Sequence, residues 1–143
     1  MNVLFVCVGN INRSQIAEAI YNKLSKKNVA FSAGIRPRRA GVLLKNEHNN
    51  PVLPMKMFGL DLSRAKVKKM NSAVVDSADK VVCVLPKKYR KEIPRYLQNR
   101  PDLEFWEVDA IRSETQFEEY LELEALRIKQ IESYVKDLVR RTG

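Results

Sequence analysis

The stretch LFVCVGNINRSQIAEA, Leu4 to Ala19, constrains the fold more than any other part of the chain. An apolar run stops near Cys7, a short loop with one glycine and two asparagines follows, and a helical pattern begins at Arg13. Asn2 to Val8, rich in Val, Leu and Phe, reads as a strand buried on both faces, as in a parallel sheet. Beyond Arg13, Ile16, Ala19, Ile20 and Leu24 share one helical face, with Glu18, Asn22, Lys23 and Lys26 mostly opposite. Strand, tight loop and helix form the unit of open α/β sheets, whose ligands bind beyond the carboxyl ends of the strands.

The alternation continues along the chain. VAFSAG, Val29 to Gly34, reads as a second strand that runs into the basic loop Arg36 to Arg39. Pro51 to Leu60 is expected to be helical and closed by Gly59, and NSAVVDSA to form a short helix. DKVVCVL is the third strand and LEFWEV the fourth; the intervening PKKYRKEIPRYL opens with a helix-compatible Pro and meets Pro94. From Glu114 to about Arg141, Phe117, Leu121, Ile128, Ile131, Val135 and Leu138 keep helical spacing, which predicts one long closing helix. With 143 residues and neither repeat nor linker, residues 1–143 are expected to form one domain, an open α/β sheet with right-handed crossovers.

Composition narrows the chemistry. A hydrophobic share of 45% with 30% charged residues is that of a globular chain. The net charge of +9 gathers in RPRR at 36–39, RAKVKK at 64–69, KKYRK at 87–91 and RR at 140–141, which favours anionic partners. Solvated surface charge is the plainer reading of any one patch, and aromatics are not interleaved with the basic runs as single-stranded nucleic acid would require. Cys7, Cys83 and His48 are too few for a disulfide framework or an ordinary zinc site. The first residues lack a basic leader and a cleavage signal, and their apolar run is too short to span a membrane, so a reducing cytoplasm is the expected setting.

The loop has neither the GK[ST] end of a nucleotide-binding loop nor a G-x-G-x-x-G fingerprint. A cysteine at its start would lie in the positive field of a helix N-terminus and successive backbone N–H groups, which favours thiolate over thiol. Arg13 would close over a bound anion with its planar fork, and Ser14 could donate to the thiolate. Gly9 permits a tight backbone, while Asn10 and Asn12 tolerate left-handed conformations and can brace the loop. A purely structural alternative stands beside this one: Asn12 capping the helix with Gln15 three residues later, Cys7 a core thiol and Arg13 a surface charge.

VCVGNINRSQIAEA resembles the phosphate-binding loop of the low-molecular-weight protein tyrosine phosphatases, C-x-G-N-x-C-R-S-P followed by a helix containing alanine and glutamate. SAG at 32–34, FGLDLSRAKVKKM at 58–70, ADKVVCV at 78–84 and an aspartate before the last helix fall in that family's order. The resemblance implies a flavodoxin-like four-stranded parallel sheet in the order 2-1-3-4, helices on both faces, and no metal or other cofactor. It implies that Cys7 attacks phosphorus to give a cysteinyl-phosphate and that Ser14 assists the thiolate. Arg13 and the loop Val8, Gly9, Asn10, Ile11 and Asn12 would hold the phosphoryl oxygens, and Asp109, in WEVDAIRS, would be the general acid. The implied partners are phosphorylated proteins or small phosphomonoesters and phosphate- or vanadate-like anions, with no membrane, nucleic acid disfavoured and the protein a monomer.

Departures from that pattern matter. Asn12 replaces the loop's second cysteine, so a protective disulfide with Cys7 is not expected, and Gln15 replaces a proline at a helix start, a mild change. Ala110 stands where the family has Pro followed by aromatics, so the resemblance carries over neither the rigidity of the acid loop nor the tyrosine-binding wall. Asn10-x-Asn12-Arg13-Ser14 also resembles the loop of the RNA polymerase C-terminal-domain serine phosphatases, which keeps phosphoserine as an alternative, as is a module that binds phosphate or nucleic acid without turnover. Ile11, where the arginine-phosphatase branch has threonine, argues mildly against phosphoarginine. Arsenate reductases of this fold need a pair of resolving cysteines; here there is only Cys83, read as a core thiol. His48 is read as solvated or loop-bracing, and Arg36, Arg38 and Arg39 as lining the approach to the pocket.

Overall fold

A computed structural model describes residues 1–143. Its strands are β1 (Asn2–Cys7), β2 (Val29–Gly34), β3 (Lys80–Cys83) and β4 (Glu104–Phe105). Its α-helices are α1 (Arg13–Leu24), α2 (Val52–Met57), α3 (Ser72–Asp76), α4 (Arg95–Gln98) and α5 (Phe117–Thr142), and single 3-10 turns span Leu44–Asn46 and Lys87–Glu92. The strands form one parallel sheet in the order β2-β1-β3-β4. This is the flavodoxin-like order that the family resemblance implies.

β1 is central because it has no polar side chain after Asn2, and Val3 to Cys7 are all buried. Its alternation splits the core: Val3 and Phe5 join the cluster packed by α1 and α5, and Leu4 and Val6 the cluster containing Val75, Ile93 and Leu97. With 19 buried residues against 11, the α1/α5 side is the main core, and burying those side chains is the principal stabilising term.

Three elements depart from the expectation. β4 is two residues rather than LEFWEV, because it pairs only with β3: after Trp106 N–H bonds to the Cys83 carbonyl, the Val108 N–H turns back to the Trp106 carbonyl and the chain leaves the sheet. Phe117, assigned to the buried stripe of α5, is 60% exposed, and the buried face starts at Tyr120. Lys87–Glu92 forms a 3-10 turn with no buried residue, between the buried Pro86 and Ile93, and Pro94 precedes α4.

Candidate active site

The loop between β1 and α1 is built around Asn10, which is fully enclosed and adopts the left-handed conformation at φ 55°. Its side-chain N–H groups donate to the hydroxyls of Ser14 at 2.8 Å and Ser32 at 3.0 Å. Its Oδ1 accepts from Gln15 Nε2 at 2.9 Å and from the Lys68 N–H at 2.8 Å. One side chain thus pins the loop to α1, β2 and the segment following Leu62, satisfying both ends of its amide. The chain beyond β2 runs alongside, with the Ile35 N–H on the Cys7 carbonyl at 3.0 Å and the Arg36 N–H on the Val8 carbonyl at 2.9 Å.

Gly34 permits this approach, because a Cβ there would lie 2.9 Å from both Asn10 Cβ and the Val8 carbonyl oxygen. Gly9, expected to permit the tight backbone, would place a Cβ no closer than 3.9 Å to Ile11 and is not at positive φ. Asn12 is likewise not left-handed, at φ −116°, and makes no cap bond; its Nδ2 donates to the Asn49 carbonyl at 2.9 Å. The Asn12/Gln15 cap is therefore absent, and Gln15 is buried, donating to Asn10 and to the Lys66 carbonyl.

Cys7 lies at the carboxyl end of β1, 2% exposed, with Sγ 2.9 Å from Ser14 Oγ. Ser14 Oγ accepts from Asn10 Nδ2 and keeps its own hydrogen, which it can donate to the sulfur when Cys7 is a thiolate. The N-terminus of α1 opens onto the same loop, and no carboxylate in its first turn cancels the field there. Arg13 is 8% exposed and donates from Nη1 to the Val108 carbonyl at 3.0 Å. Burial pulls its pKa below the ordinary value, Cys7 opposes that, Arg127 adds to it and Asp109 opposes it, so Arg13 sits among charges that matter to an anion.

A cavity of about 250 Å³ opens over this loop. Arg13, Arg36, Glu92 and Asp109 supply its charged lining, and Val8, Ile35, Leu85, Tyr89, Ile93 and Ala110 its apolar wall. The expected acid thus shares a cavity with Arg13, although the two residues are 96 apart in the chain (109 − 13). Ile35, Leu85, Tyr89 and Ile93 escaped the sequence reading because they come from loops after β2 and β3.

Of the three arginines expected at the approach, Arg36 lines this cavity, whereas Arg38 and Arg39 line a separate cleft beside Ile11 and Asn12. Arg39 there is paired with Glu47. His48 braces loops, its Nε2 2.8 Å from the Ser113 carbonyl. Cys83 is a core thiol on the opposite face of the sheet from Cys7, and burial, with Cys7 adding to it, pushes it up to about 12. No group of three or more His, Cys, Asp or Glu could hold a metal ion, and no helix is long and apolar enough to cross a membrane.

Beneath the site, α5 carries three buried polar residues in its apolar stripe: Tyr120, Glu124 and Arg127. Glu124 accepts two hydrogen bonds from Arg127, at 2.7 and 2.8 Å, and one from the Tyr120 hydroxyl. These were not foreseen, yet the signal was present, since positions 124 and 127 fall on the same helical face as Ile128, Ile131 and Val135.

Comparison with known proteins agrees with this architecture. A low molecular weight protein-tyrosine-phosphatase, Ptp, of Acinetobacter johnsonii is 32% identical over 92 residues, which cover 64% of this chain and 61% of that relative's length. The low molecular weight protein tyrosine phosphatase of T. tengcongensis superposes with a TM-score of 0.80 at 23% identity, covering 99% of both chains. The YwlE arginine phosphatase of Geobacillus stearothermophilus superposes with a TM-score of 0.78 at 16% identity, covering 99% of this chain and 92% of its own. At those identities the two structures speak for the fold. The model of the low molecular weight phosphotyrosine protein phosphatases matches residues 2–106, from β1 through the loop and all four strands, and the chain belongs to that family.

Proposed function

We propose that this protein hydrolyses phosphomonoesters of phosphotyrosine type through a cysteinyl-phosphate. The observation that carries the reading is the Ser14 hydroxyl 2.9 Å from Cys7 Sγ, at the foot of the loop whose Arg13 shares a cavity with Asp109. The Cys7 thiolate attacks phosphorus; the S–P bond forms as the ester P–O bond breaks, and Asp109 gives its proton to the leaving oxygen. Asp109, now a carboxylate, takes a proton from water, whose oxygen attacks phosphorus and displaces the thiolate. Arg13 and the amides of Val8 to Asn12 hold the phosphoryl oxygens throughout, and Ser14 stabilises the sulfur as nucleophile and leaving group.

The wall of Ile35, Leu85, Tyr89 and Ile93 favours an aryl ester over a serine ester, because it offers an aromatic ring an apolar surface that a serine methylene is too short to use. Tyr89 thus stands in for the aromatic residues missing beyond Ala110. Every group invoked lies in one chain, so a monomer suffices, and a thiolate nucleophile suits the reducing cytoplasm.

The test is hydrolysis of an aryl phosphate. Turnover should be inhibited by vanadate and abolished by Cys7→Ser, and Asp109→Asn should slow esters with poor leaving groups by about 10²-fold or more while sparing activated ones. Competition among phosphotyrosine, phosphoserine and phosphoarginine peptides should favour phosphotyrosine. Phosphate binding without turnover would leave an anion-binding module instead.

A further inference from the structure

The buried polar residues of α5 make a run of close polar contacts between the phosphate loop and the acid loop, in which the single hydrogen of the Tyr120 hydroxyl serves one acceptor at a time. Asn12 Nδ2 donates to the Asn49 carbonyl, and the Tyr120 hydroxyl lies 2.7 Å from that carbonyl, 3.0 Å from the Asn50 carbonyl and 3.4 Å from Asn12 Oδ1. Tyr120 also meets Glu124, Glu124 grips Arg127 through two oxygens, and Arg127 Nη1 reaches the Asp109 carbonyl at 3.4 Å. One residue earlier, the Val108 carbonyl takes Arg13 Nη1. Consecutive carbonyls of the acid loop are therefore held by two arginines, one from the phosphate loop and one from α5.

An ion pair this deep is a poor way to stabilise a helix. Glu124 is fully buried and Arg127 is 6% exposed, and well-packed apolar side chains in their place would hold α5 at least as well. The rest of the stripe, Ile128, Ile131, Val135 and Leu138, is apolar, so the polar residues are confined to the turns of α5 that pass the two loops. Burial and the neighbouring Glu124 charge both keep the Tyr120 hydroxyl protonated, so it remains a hydrogen-bond donor at all ordinary pH values.

We propose that Arg127, held by Glu124 and Tyr120, is the positioning residue that sets the Asp109 loop over the phosphate loop. Resting as it does on the phosphatase reading, the proposal gives Arg127 no contact with substrate: it acts on the Asp109 backbone, and through it on where the acid's proton can be delivered.

The decisive variant is Glu124→Leu combined with Arg127→Met, which fills the same space with apolar side chains, leaves no buried charge unpaired and should fold with an unchanged or raised melting temperature. Its kcat/KM on an unactivated ester such as phenyl phosphate should fall about 10- to 100-fold, since small displacements of a catalytic group cost that much. Its kcat/KM on an activated ester should change less than about threefold, and vanadate affinity less than about twofold, because Cys7 and Arg13 are untouched. Arg127→Lys keeps the charge beside Glu124 but has one nitrogen for partners on both sides, and should show the same leaving-group dependence more weakly. Equal loss on both esters, weakened vanadate binding with the leaving-group dependence intact, or no loss at all would overturn the proposal. Amide exchange of residues 110–113, read in wild type and the double variant, separates the two claims. If wild type turns over no ester, the phosphatase reading fails, and faster exchange in the variant still supports the strut while unchanged exchange removes it.

Discussion

Asn10 pays the conformational cost of a left-handed residue with a β-carbon and recovers it through an amide bonded at both ends. The loop is therefore only as well placed as the neighbours that leave Asn10 room, and Gly34 is the tightest of these. In Gly34→Ala the new methyl group meets the Val8 carbonyl and Asn10 Cβ at 2.9 Å, and neither is the far end of a flexible side chain, so the loop itself must move. The expected outcome is a loss of about 1–3 kcal/mol of stability and weaker vanadate binding. Gly9→Ala, whose methyl group meets only the Ile11 side chain at 3.9 Å, should stay within about 0.5 kcal/mol of wild type. Thermal melting and vanadate titration of the two variants distinguish them; equal effects would place the constraint elsewhere.

At the scale of elements, β4 is a minimal edge strand held by its side chains more than by its length. Glu104 accepts from Arg141 at 2.9 Å and from the Trp106 indole at 2.7 Å, and pairs with Lys80 at 3.2 Å, tying β4 to β3 and to the end of α5. Burial pushes the Glu104 carboxyl up, and the hydrogen bonds from Arg141, Trp106 and Lys80 outweigh it, leaving its pKa below the ordinary 4.5. A carboxyl lowered by folding contributes stability that is fully present above its unfolded value and is lost as pH falls through its folded value. Glu104→Gln should accordingly cost about 1 kcal/mol in denaturant melts near neutral pH, with the difference from wild type shrinking below about pH 4. A difference that stays constant down to about pH 3 would mean that packing, not charge, is what Glu104 supplies. The same strand marks where the sequence stops being legible. β1, β2, α1 and α5 are readable because their apolar patterns persist over several residues, and Cys7, Arg13 and Ser14 because the loop between β1 and α1 is local. LEFWEV alternates like a strand, but only Glu104 and Phe105 have a partner to pair with. Tyr120, Glu124 and Arg127 share the buried face by their spacing, but what their polar ends reach is not legible, because the Asn49 carbonyl is 71 positions from Tyr120 and the Asp109 carbonyl 18 from Arg127, both outside the helix.

For the whole molecule, α5 runs from the acid loop at the carboxyl ends of the strands to their amino ends, where Thr142 and Gly143 meet Asn28 and Ser25. The cavity, with Arg13 and Arg36, therefore lies at one end of the sheet and Arg140 at the other. A net charge of +9 attracts a phosphate dianion from any direction, but only charge near the cavity mouth guides it into the site. The value of kcat/KM for a dianionic aryl phosphate should fall as ionic strength rises from about 0.01 M to 0.15 M, over which the screening length shrinks from about 30 Å to about 8 Å. kcat, set after binding, should hardly change. Arg36→Gln should lower kcat/KM about two- to fivefold at low salt and flatten the salt dependence, whereas Arg140→Gln removes the same charge from an exposed position at the far end and should do neither. Equal effects from the two substitutions would mean that the overall charge steers the substrate; a selective effect of Arg36 means that the field is focused at the cavity, whose lining sets Arg13 and Arg36 against Glu92 and Asp109, so that removing Arg36 tips the local balance to the carboxylates.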